Sequence, residues 1–220
     1  MSLSGPDDPK YQSGSPPEPG SVAPEVIVSP DTRRSNRIPP GQVRTRKWPV
    51  LHATTVPSIP IAEWRLTIDG LVERPLEFSW EQFQSLPRSK VFADFHCVTR
   101  WSRLGNLWEG VAVQTLLQMA GVKPTARFVI AGAYDSDWTT NLPLPEFDQP
   151  DALVVDRHDG ELLDADHGGP VRLIVPRLYA WKSAKWLKRL TLVADDRPGF
   201  WEEMGYHNYG DPWREERFTE

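Results

Sequence analysis

The chain has 220 residues, of which 39% are hydrophobic, enough for one substantial core. Its formal net charge of −5 excludes the global positive field that favours nucleic acid or an anionic membrane surface. One cysteine excludes a disulfide framework, and no window approaches the roughly 18 apolar residues of a membrane span. The first residues also lack the pattern of a secretory signal. We therefore expect a cytoplasmic protein with no nucleic-acid partner.

The N-terminal segment is rich in proline. Nine of the 22 prolines fall in the first 47 residues, among serine, glycine and charged residues, and no strand or helix periodicity is present. Such a segment buries too little apolar surface to offset the entropy of ordering it. We expect residues 1–47 to be disordered, or extended over a domain formed by residues 48–220.

Regular patterns begin near Trp64. Alternating apolar and polar residues predict a strand over residues 64–72. Ser79 and Gln82 then form a capping-box pattern, which predicts a short helix that ends by Pro87.

The next predicted strand covers residues 91–98. Its two-residue periodicity places Cys97 near the strand end, on the face that also carries Ala93 and Phe95. Helical spacing then predicts a helix from Val113 to Ala120.

The second half of the chain alternates short apolar runs with turns. Asp159 and Gly160 are a strong hairpin signal, and a long polar loop is expected after residue 131. Short strands with few helices favour the α+β class, with mixed β-sheets and few short helices. Further strands are predicted over residues 128–131, 151–155, 162–163, 171–175 and 186–193.

Cys97 is the first candidate functional residue. A thiolate is a soft metal ligand, but closed zinc sites and iron–sulfur clusters draw on several sulfurs, which this chain lacks. The five histidines show no close ligand spacing, so a mixed zinc site is only weakly indicated. Taken alone, a single cysteine is most often a buried, inert thiol.

A basic segment is the second candidate. Six cations fall within residues 172–189, after Gly168 and Gly169, which permit a close backbone approach. Such a run is commonly the solvated face of a strand pair. The interleaved aromatic residues Tyr179, Trp181 and Trp186 instead favour a groove that holds a phosphate and stacks a flat heterocycle.

Several motifs follow one another in a recognisable order, at residues 91–102, 107–111, 139–144, 166–172 and 182–186. Together they resemble the molybdopterin-binding domain of the sulfite oxidase family. The resemblance covers about residues 48–213 and is strongest to the small, stand-alone bacterial members.

The resemblance implies a molybdenum-molybdopterin cofactor and a role for each matching residue. Cys97 would bind the molybdenum, and Cys97 and Arg100 would be the catalytic residues. The residues expected to surround the pterin and its phosphate are His52, Cys97, His167, Arg172, Ser183, Ala184 and Lys185. The loop of residues 135–141 is expected to face the substrate.

One departure concerns the substrate. Sulfite oxidases carry an Arg-Asn-His run where this chain has Val50, Leu51 and His52, so the arginine that helps attract sulfite is absent. Arg100 also follows the cysteine more closely than the corresponding substrate arginine does. The substrate is therefore an unidentified small molecule.

No haem domain accompanies the match, so electrons require an unidentified electron-transfer partner. The chain is expected to be a monomer or homodimer.

The leading hypothesis is a molybdenum enzyme that catalyses a two-electron oxygen-atom transfer. Two alternatives remain open. One is a cysteine hydrolase with Cys97 as nucleophile and His167 or His207 as base. The other is a non-catalytic binding module on the same fold.

Overall fold

The computed structural model describes residues 18–219. The described residues form two β-sheets with short helices at their edges. The strands are β1 (Ile27–Val28), β2 (Val43–Thr45), β3 (Arg65–Gly70), β4 (Leu76–Ser79), β5 (Ser89–His96), β6 (Trp101–Ala112), β7 (Phe128–Ala133), β8 (Thr139–Pro143), β9 (Leu153–His158), β10 (Glu161–Leu162), β11 (Arg172–Ile174) and β12 (Leu187–Val193). The α-helices are α1 (Trp80–Gln84), α2 (Val113–Ala120), α3 (Leu144–Phe147) and α4 (Phe200–Glu203).

Both sheets are mixed. The first has the order β1-β5-β6-β9-β10, with β2 also paired to β6 and β11 to β9. The second has the order β4-β3-β12-β7-β8. Strands β1, β2 and β3 pair in parallel with β5, β6 and β12, and the other pairs are antiparallel. The predicted α+β class, with mixed sheets and few short helices, is confirmed.

Local sequence signals account for several elements. The Ser79 hydroxyl accepts a hydrogen bond from the Gln82 amide, and the Gln82 side chain accepts one from the Ser79 amide, which closes the capping box of α1. Helix α2 buries its apolar stripe and ends at Gly121, whose φ of +70° suits glycine. Asp159 and Gly160 both have positive φ in the hairpin between β9 and β10.

The described part of the N-terminal segment extends along the first sheet. Strands β1 and β2 add to β5 and β6, and the Arg37 guanidinium donates to both carboxylate oxygens of Asp94, at 2.6 and 2.8 Å. Residues 1–17 lie outside the described range, and the boundary at residue 47 stays a prediction.

Three features differ from the sequence prediction. The longest strand, β6, was not predicted, and the expected loop after residue 131 contains β8 and α3. Strands β11 and β12, which carry the basic segment, lie in different sheets and are not a strand pair. Backbone hydrogen bonds from Leu173 to Ala184 (2.8 Å) and from Leu187 to Val171 (2.8 Å) instead join the two sheets beside the site.

The core has one large and two smaller clusters of buried apolar residues. The large cluster packs both sheets against α1 and α2. One small cluster contains Cys97, Val98, Tyr179 and Trp181. Because it brings the turn after β5 against the segment after β11, it places the two candidate motifs side by side.

Candidate active site

A cavity of about 290 Å³ lies between the turn after β5, the segment after β11 and residues 48–53. Its volume is near the lower end of typical small-molecule sites, roughly 300–1,000 Å³. The predicted site residues that line it are His52, Cys97, Arg172, Ser183 and Lys185. The structure thus brings together residues that are up to 133 positions apart in the chain, from His52 to Lys185.

Cys97 begins the tight turn between β5 and β6. Its amide donates to the Trp101 carbonyl at 2.9 Å, and the amide of Arg100 donates back to the Cys97 carbonyl at 3.0 Å. The Thr99 hydroxyl donates to the Cys97 sulfur at 3.2 Å. Cys97 is only 8% exposed, but it lines the cavity. A ligand in the cavity can therefore reach its thiol.

Burial raises the pKa of the Cys97 thiol, while the Thr99 hydrogen bonds and the charges of Arg217 and Lys185 act in the opposite direction. The free side chain is therefore a neutral thiol, whereas a catalytic nucleophile requires a lowered pKa. Cys97 would lose this proton on binding a metal cation, because the cation would stabilise the thiolate directly.

Arg172 is a buried cation that lines the same cavity as the thiol. Its guanidinium donates to the carbonyl oxygens of His167 (2.8 Å) and Ser183 (3.0 Å) and lies over the rings of Trp48 and Phe95. No carboxylate of the described chain contacts it, and burial alone lowers its pKa to about 9. A buried positive charge without an anionic partner favours an anionic ligand.

Lys185 places a second cation at the cavity. Its Nζ donates to the Asp166 carbonyl at 2.6 Å and lies over the Trp186 ring. Burial, followed by the charge of Arg172, lowers the pKa of Lys185 to about 7. An anion bound between the two cations would restore the proton to this lysine.

Gly168 allows the backbone to approach Lys185. Its φ is +102°, and a Cβ atom at this position would lie 2.8 Å from the Cβ of Lys185. The Gly168 carbonyl accepts from the Trp186 amide at 3.1 Å. The glycine therefore fixes the segment that carries the second cation.

The other predicted site residues have different surroundings. Ser183 lines the cavity, and its hydroxyl accepts from the Val175 amide at 3.0 Å. His52 is exposed at the cavity rim, with its ring centroid 5.7 Å from that of Trp186. Ala184 is buried in the large core cluster rather than on the cavity wall, because its carbonyl bonds to β11.

His167 does not line the cavity. Its ring stacks on Trp48 at 4.0 Å, Nδ1 lies 2.9 Å from the Asp164 carboxylate, and Nε2 lies 3.0 Å from the Trp48 carbonyl. Both ring nitrogens are therefore engaged, and the residue acts here through its carbonyl on Arg172. Its direct contact with the pterin phosphate stays a prediction that this geometry does not support.

Arg100 does not line the cavity. It ends the turn with a φ of +71°, and its exposed side chain lies against the Gly41 carbonyl, 3.4 Å away. The left-handed backbone directs the side chain away from the site, so the catalytic assignment of Arg100 stays a prediction without geometric support.

An aromatic wall, formed by Trp181, Trp201 and Tyr206, lines the cavity and packs in the same small cluster as Cys97. Tyr206 stacks on Trp201 at 4.9 Å between ring centroids, and its edge meets Trp181 at 5.1 Å. Burial raises the pKa of Tyr206, and its hydroxyl makes no hydrogen bond to the rest of the described chain. The aromatic pattern of the sequence predicted a stacking role for Trp181, but it assigned none to Trp201 and Tyr206, which lie far from Cys97 in the chain.

A buried ion pair anchors this wall. Lys182 Nζ lies 2.6 Å from Glu202 Oε1, which also accepts from the Trp181 indole and the Thr140 hydroxyl, each at 2.9 Å. Asn141 accepts from Lys182 as well, at 2.9 Å. The polar residues of β8 thus hold the C-terminal segment and do not face the cavity.

Asp135 and Trp138 are the residues of the predicted substrate loop that line the cavity. The Asp135 carboxylate is 5% exposed and accepts a hydrogen bond from the Thr54 hydroxyl. The part of the cavity lining that carries Asp135 is therefore polar and acidic, in contrast to the part that carries Arg172.

The residues present fit a molybdenum-molybdopterin group. A single buried thiol provides one soft ligand, the buried Arg172 and the half-buried Lys185 favour an anionic chelate and its phosphate, and the aromatic lining suits a flat ring. Between residues 18 and 219, no cluster of three or more His, Cys, Asp or Glu side chains could hold a metal alone. A metal in this cavity would therefore need a second, non-protein source of ligands.

The comparison with known families agrees with this geometry. A model of the oxidoreductase molybdopterin-binding domain matches residues 52–201. The chain belongs to this family. The predicted sulfite oxidase-type oxidoreductase and its molybdopterin cofactor are confirmed, while the roles of the individual site residues stay predictions.

Three relatives show the range of the family. The oxidoreductase YuiH of Bacillus subtilis (strain 168) is 46% identical over 187 residues, which cover 84% of this chain and 94% of YuiH. The protein-methionine-sulfoxide reductase catalytic subunit MsrP of Campylobacter jejuni is 26% identical over 67% of this chain, which spans 54% of MsrP. The crystal structure of the sulfane dehydrogenase SoxCD from Paracoccus pantotrophus has a TM-score of 0.61 and 26% identity, over 66% of this chain and 41% of that one.

The hydrolase alternative has no geometric support. The Cys97 sulfur has Thr99 as its hydrogen-bond partner, while the nitrogens of His167 bond elsewhere and His207 accepts from backbone amides of the C-terminal segment. No histidine base therefore contacts the thiol in the described structure.

Among residues 18–219, none of the helices has the length and apolar character of a membrane span.

Proposed function

We propose that this molybdopterin oxidoreductase binds its molybdenum through Cys97 and reduces a small, uncharged oxo compound of the sulfoxide class. The observation that carries this proposal is that one cavity is lined by the thiol, by the buried Arg172 and the half-buried Lys185, and by the uncharged aromatic wall. The cofactor supplies the two-electron redox chemistry when bound.

The charge distribution argues against a dianionic substrate. Arg172 and Lys185 lie on the side that suits the anionic cofactor, so the cofactor neutralises them. The remaining wall offers Trp181 and Tyr206 together with the Asp135 carboxylate, which repels sulfite. A neutral sulfoxide avoids this repulsion, and the relative MsrP is named as a protein-methionine-sulfoxide reductase.

The net reaction is R₂SO + 2 H⁺ + 2 e⁻ → R₂S + H₂O. The electrons come from a separate electron-transfer protein. The relative MsrP supports this, because it is named a catalytic subunit, which implies a second subunit. In this reaction Trp181 and Trp201 enclose the organic groups of the substrate and exclude water. The Tyr206 hydroxyl, which is neutral and has no partner in the described chain, donates a hydrogen bond to the sulfoxide oxygen.

A matched pair of substrates tests the proposal. The enzyme loaded with cofactor is assayed for reduction of methionine sulfoxide with a chemical electron donor, and for oxidation of sulfite with a chemical acceptor. We expect reduction of the sulfoxide to have the higher kcat/KM. Faster turnover of sulfite would exclude the proposed substrate class.

The Tyr206→Phe variant tests the donor. Loss of one hydrogen bond of about 1–3 kcal/mol lowers kcat/KM for the sulfoxide by roughly 5- to 150-fold. Tyr134→Phe is the control, because the Tyr134 hydroxyl bonds to the Arg65 backbone outside the cavity. Equal activity in wild type and Tyr206→Phe would remove the donor from the account.

We also propose that the protein acts in the cytoplasm, where a reducing environment keeps its one cysteine free to bind metal. Fractionation of the source cells tests this location.

A further inference from the structure

The turn that carries Cys97 is held by residues outside the family match. Its carbonyl groups point away from the cavity, toward the N-terminal segment and the C-terminal residues. Gln42 Nε2 donates to the Cys97 carbonyl at 3.0 Å, and the Val43 amide donates to the Arg100 carbonyl at 2.8 Å. Both donors precede residue 52, where the match begins.

The third contact comes from the other end of the chain. Arg217 Nη1 donates to the Val98 carbonyl at 2.9 Å, and its Nη2 donates to the Pro40 carbonyl at 3.1 Å. One guanidinium therefore joins the Cys97 turn to the N-terminal segment. Arg217 lies beyond residue 201, where the family match ends.

Arg217 also places a buried charge behind the thiol. Its side chain is 6% exposed and lies over the Tyr179 ring at 5.1 Å, next to Cys97 in the same small cluster. The carboxylate of Glu215 is 3.9 Å away and half exposed. Solvent therefore screens the negative charge that would offset the charge of Arg217. A buried cation close to a metal–thiolate favours the reduced, more negative state of the metal.

We propose that Arg217 is a positioning residue of the metal centre, which fixes the Cys97 turn and raises the reduction potential of the bound molybdenum. Charge and hydrogen bonding around a ligand sulfur are known means of setting such potentials. This inference rests on the proposed ligation by Cys97.

Redox titration of the loaded enzyme, followed through the molybdenum paramagnetic resonance signal, tests the inference. Arg217→Met keeps the length of the side chain and removes its charge and donors, and Arg217→Lys keeps the charge. Arg214→Met is the matched control, because Arg214 lies three residues earlier, is 71% exposed and pairs with Glu216. We expect a lower potential and an altered signal in Arg217→Met, recovery of most of the potential in Arg217→Lys, and no change in Arg214→Met.

A wild-type potential and signal in loaded Arg217→Met would overturn the inference. Loss of the fold in both Arg217→Met and Arg217→Gln would also overturn it, since the residue would then serve stability alone. Molybdenum analysis separates these outcomes from a failure of the proposed function. Wild-type protein without molybdenum contradicts Cys97 ligation, whereas a loaded variant with an unchanged potential contradicts only the role of Arg217.

Discussion

Lys182 Nζ lies 2.6 Å from Glu202 Oε1, and both side chains are almost completely buried behind the aromatic wall. Both charged groups have further hydrogen-bond partners, the Trp181 indole for Glu202 and the Asn141 carbonyl for Lys182. The pair joins the segment after β11 to α4, and its hydrogen bonds with Thr140 and Asn141 tie both to β8. It thereby fixes Trp181 and Trp201 at the cavity.

The first prediction concerns this pair. Lys182→Met leaves the Glu202 carboxylate buried without its cation, which costs about 3–5 kcal/mol in the free energy of unfolding. Lys90→Met is the control, because Lys90 is 47% exposed and lies 3.4 Å from Glu109, where loss of a surface pair costs about 0–1 kcal/mol. Urea denaturation of the cofactor-free protein measures both. Equal losses would show that the buried pair contributes no more than a surface pair.

The second prediction is that anion binding depends on pH through Lys185. Its pKa in the fold is about 7, so it is protonated below this value and increasingly neutral above it. Because a bound anion favours the protonated form, affinity falls as pH rises above 7, by up to about tenfold per pH unit. Calorimetry with sulfate, which stays a dianion, compares pH 6 with pH 8. Lys185→Met should bind more weakly and lose this pH dependence; an equal dependence in this variant would assign it to another group.

The pH dependence of folding stability has the opposite sign. Since the Lys185 pKa is about 7 in the fold and about 10.4 when unfolded, the unfolded chain binds more protons between these values. Its contribution to stability therefore rises with pH in this window and is constant below it.

Sequence patterns predicted the elements whose signals are local. The capping box at Ser79, the stripe of α2 and the Asp159–Gly160 turn depend on neighbours along the chain, and each is present in the structure. Strand β6 escaped prediction because its pairing with β5 and β9 shifts register, which interrupts the alternation. Strand β8 resembled a loop because Thr140 and Asn141 are polar; their burial depends on Lys182 and Glu202.

The site was predictable where a family motif names a side chain that reaches the cavity. His52, Cys97, Arg172, Ser183 and Lys185 all line it. Motif position alone cannot give the orientation of a side chain, which explains why Arg100, His167 and Ala184 lie off the wall. The contributions of Tyr206 and Arg217 depend on the return of the C-terminal segment to the turn after β5, and no local pattern encodes that return.

The third prediction uses two glycines of positive φ. Gly168→Ala and Gly160→Ala both force alanine into a left-handed backbone, at about 1–2 kcal/mol each. Only at Gly168 does the new Cβ meet Lys185, at 2.8 Å; at Gly160 nothing lies within 4 Å. We expect Gly168→Ala to be the less stable variant, by a further 1–3 kcal/mol or so from overpacking, and to bind sulfate more weakly. Identical unfolding curves and affinities would contradict a role for this close approach.

The central claim, that the Cys97 sulfur is the protein ligand of the molybdenum, is tested most directly by elemental analysis and absorption spectroscopy. Wild type and Cys97→Ala are purified from cells that make molybdopterin. We expect about one molybdenum per wild-type chain, with a sulfur-to-metal charge-transfer band. Cys97→Ala should lose that band and most of the metal, while its unfolding without cofactor stays cooperative. A variant that keeps the wild-type molybdenum content and spectrum would contradict the claim.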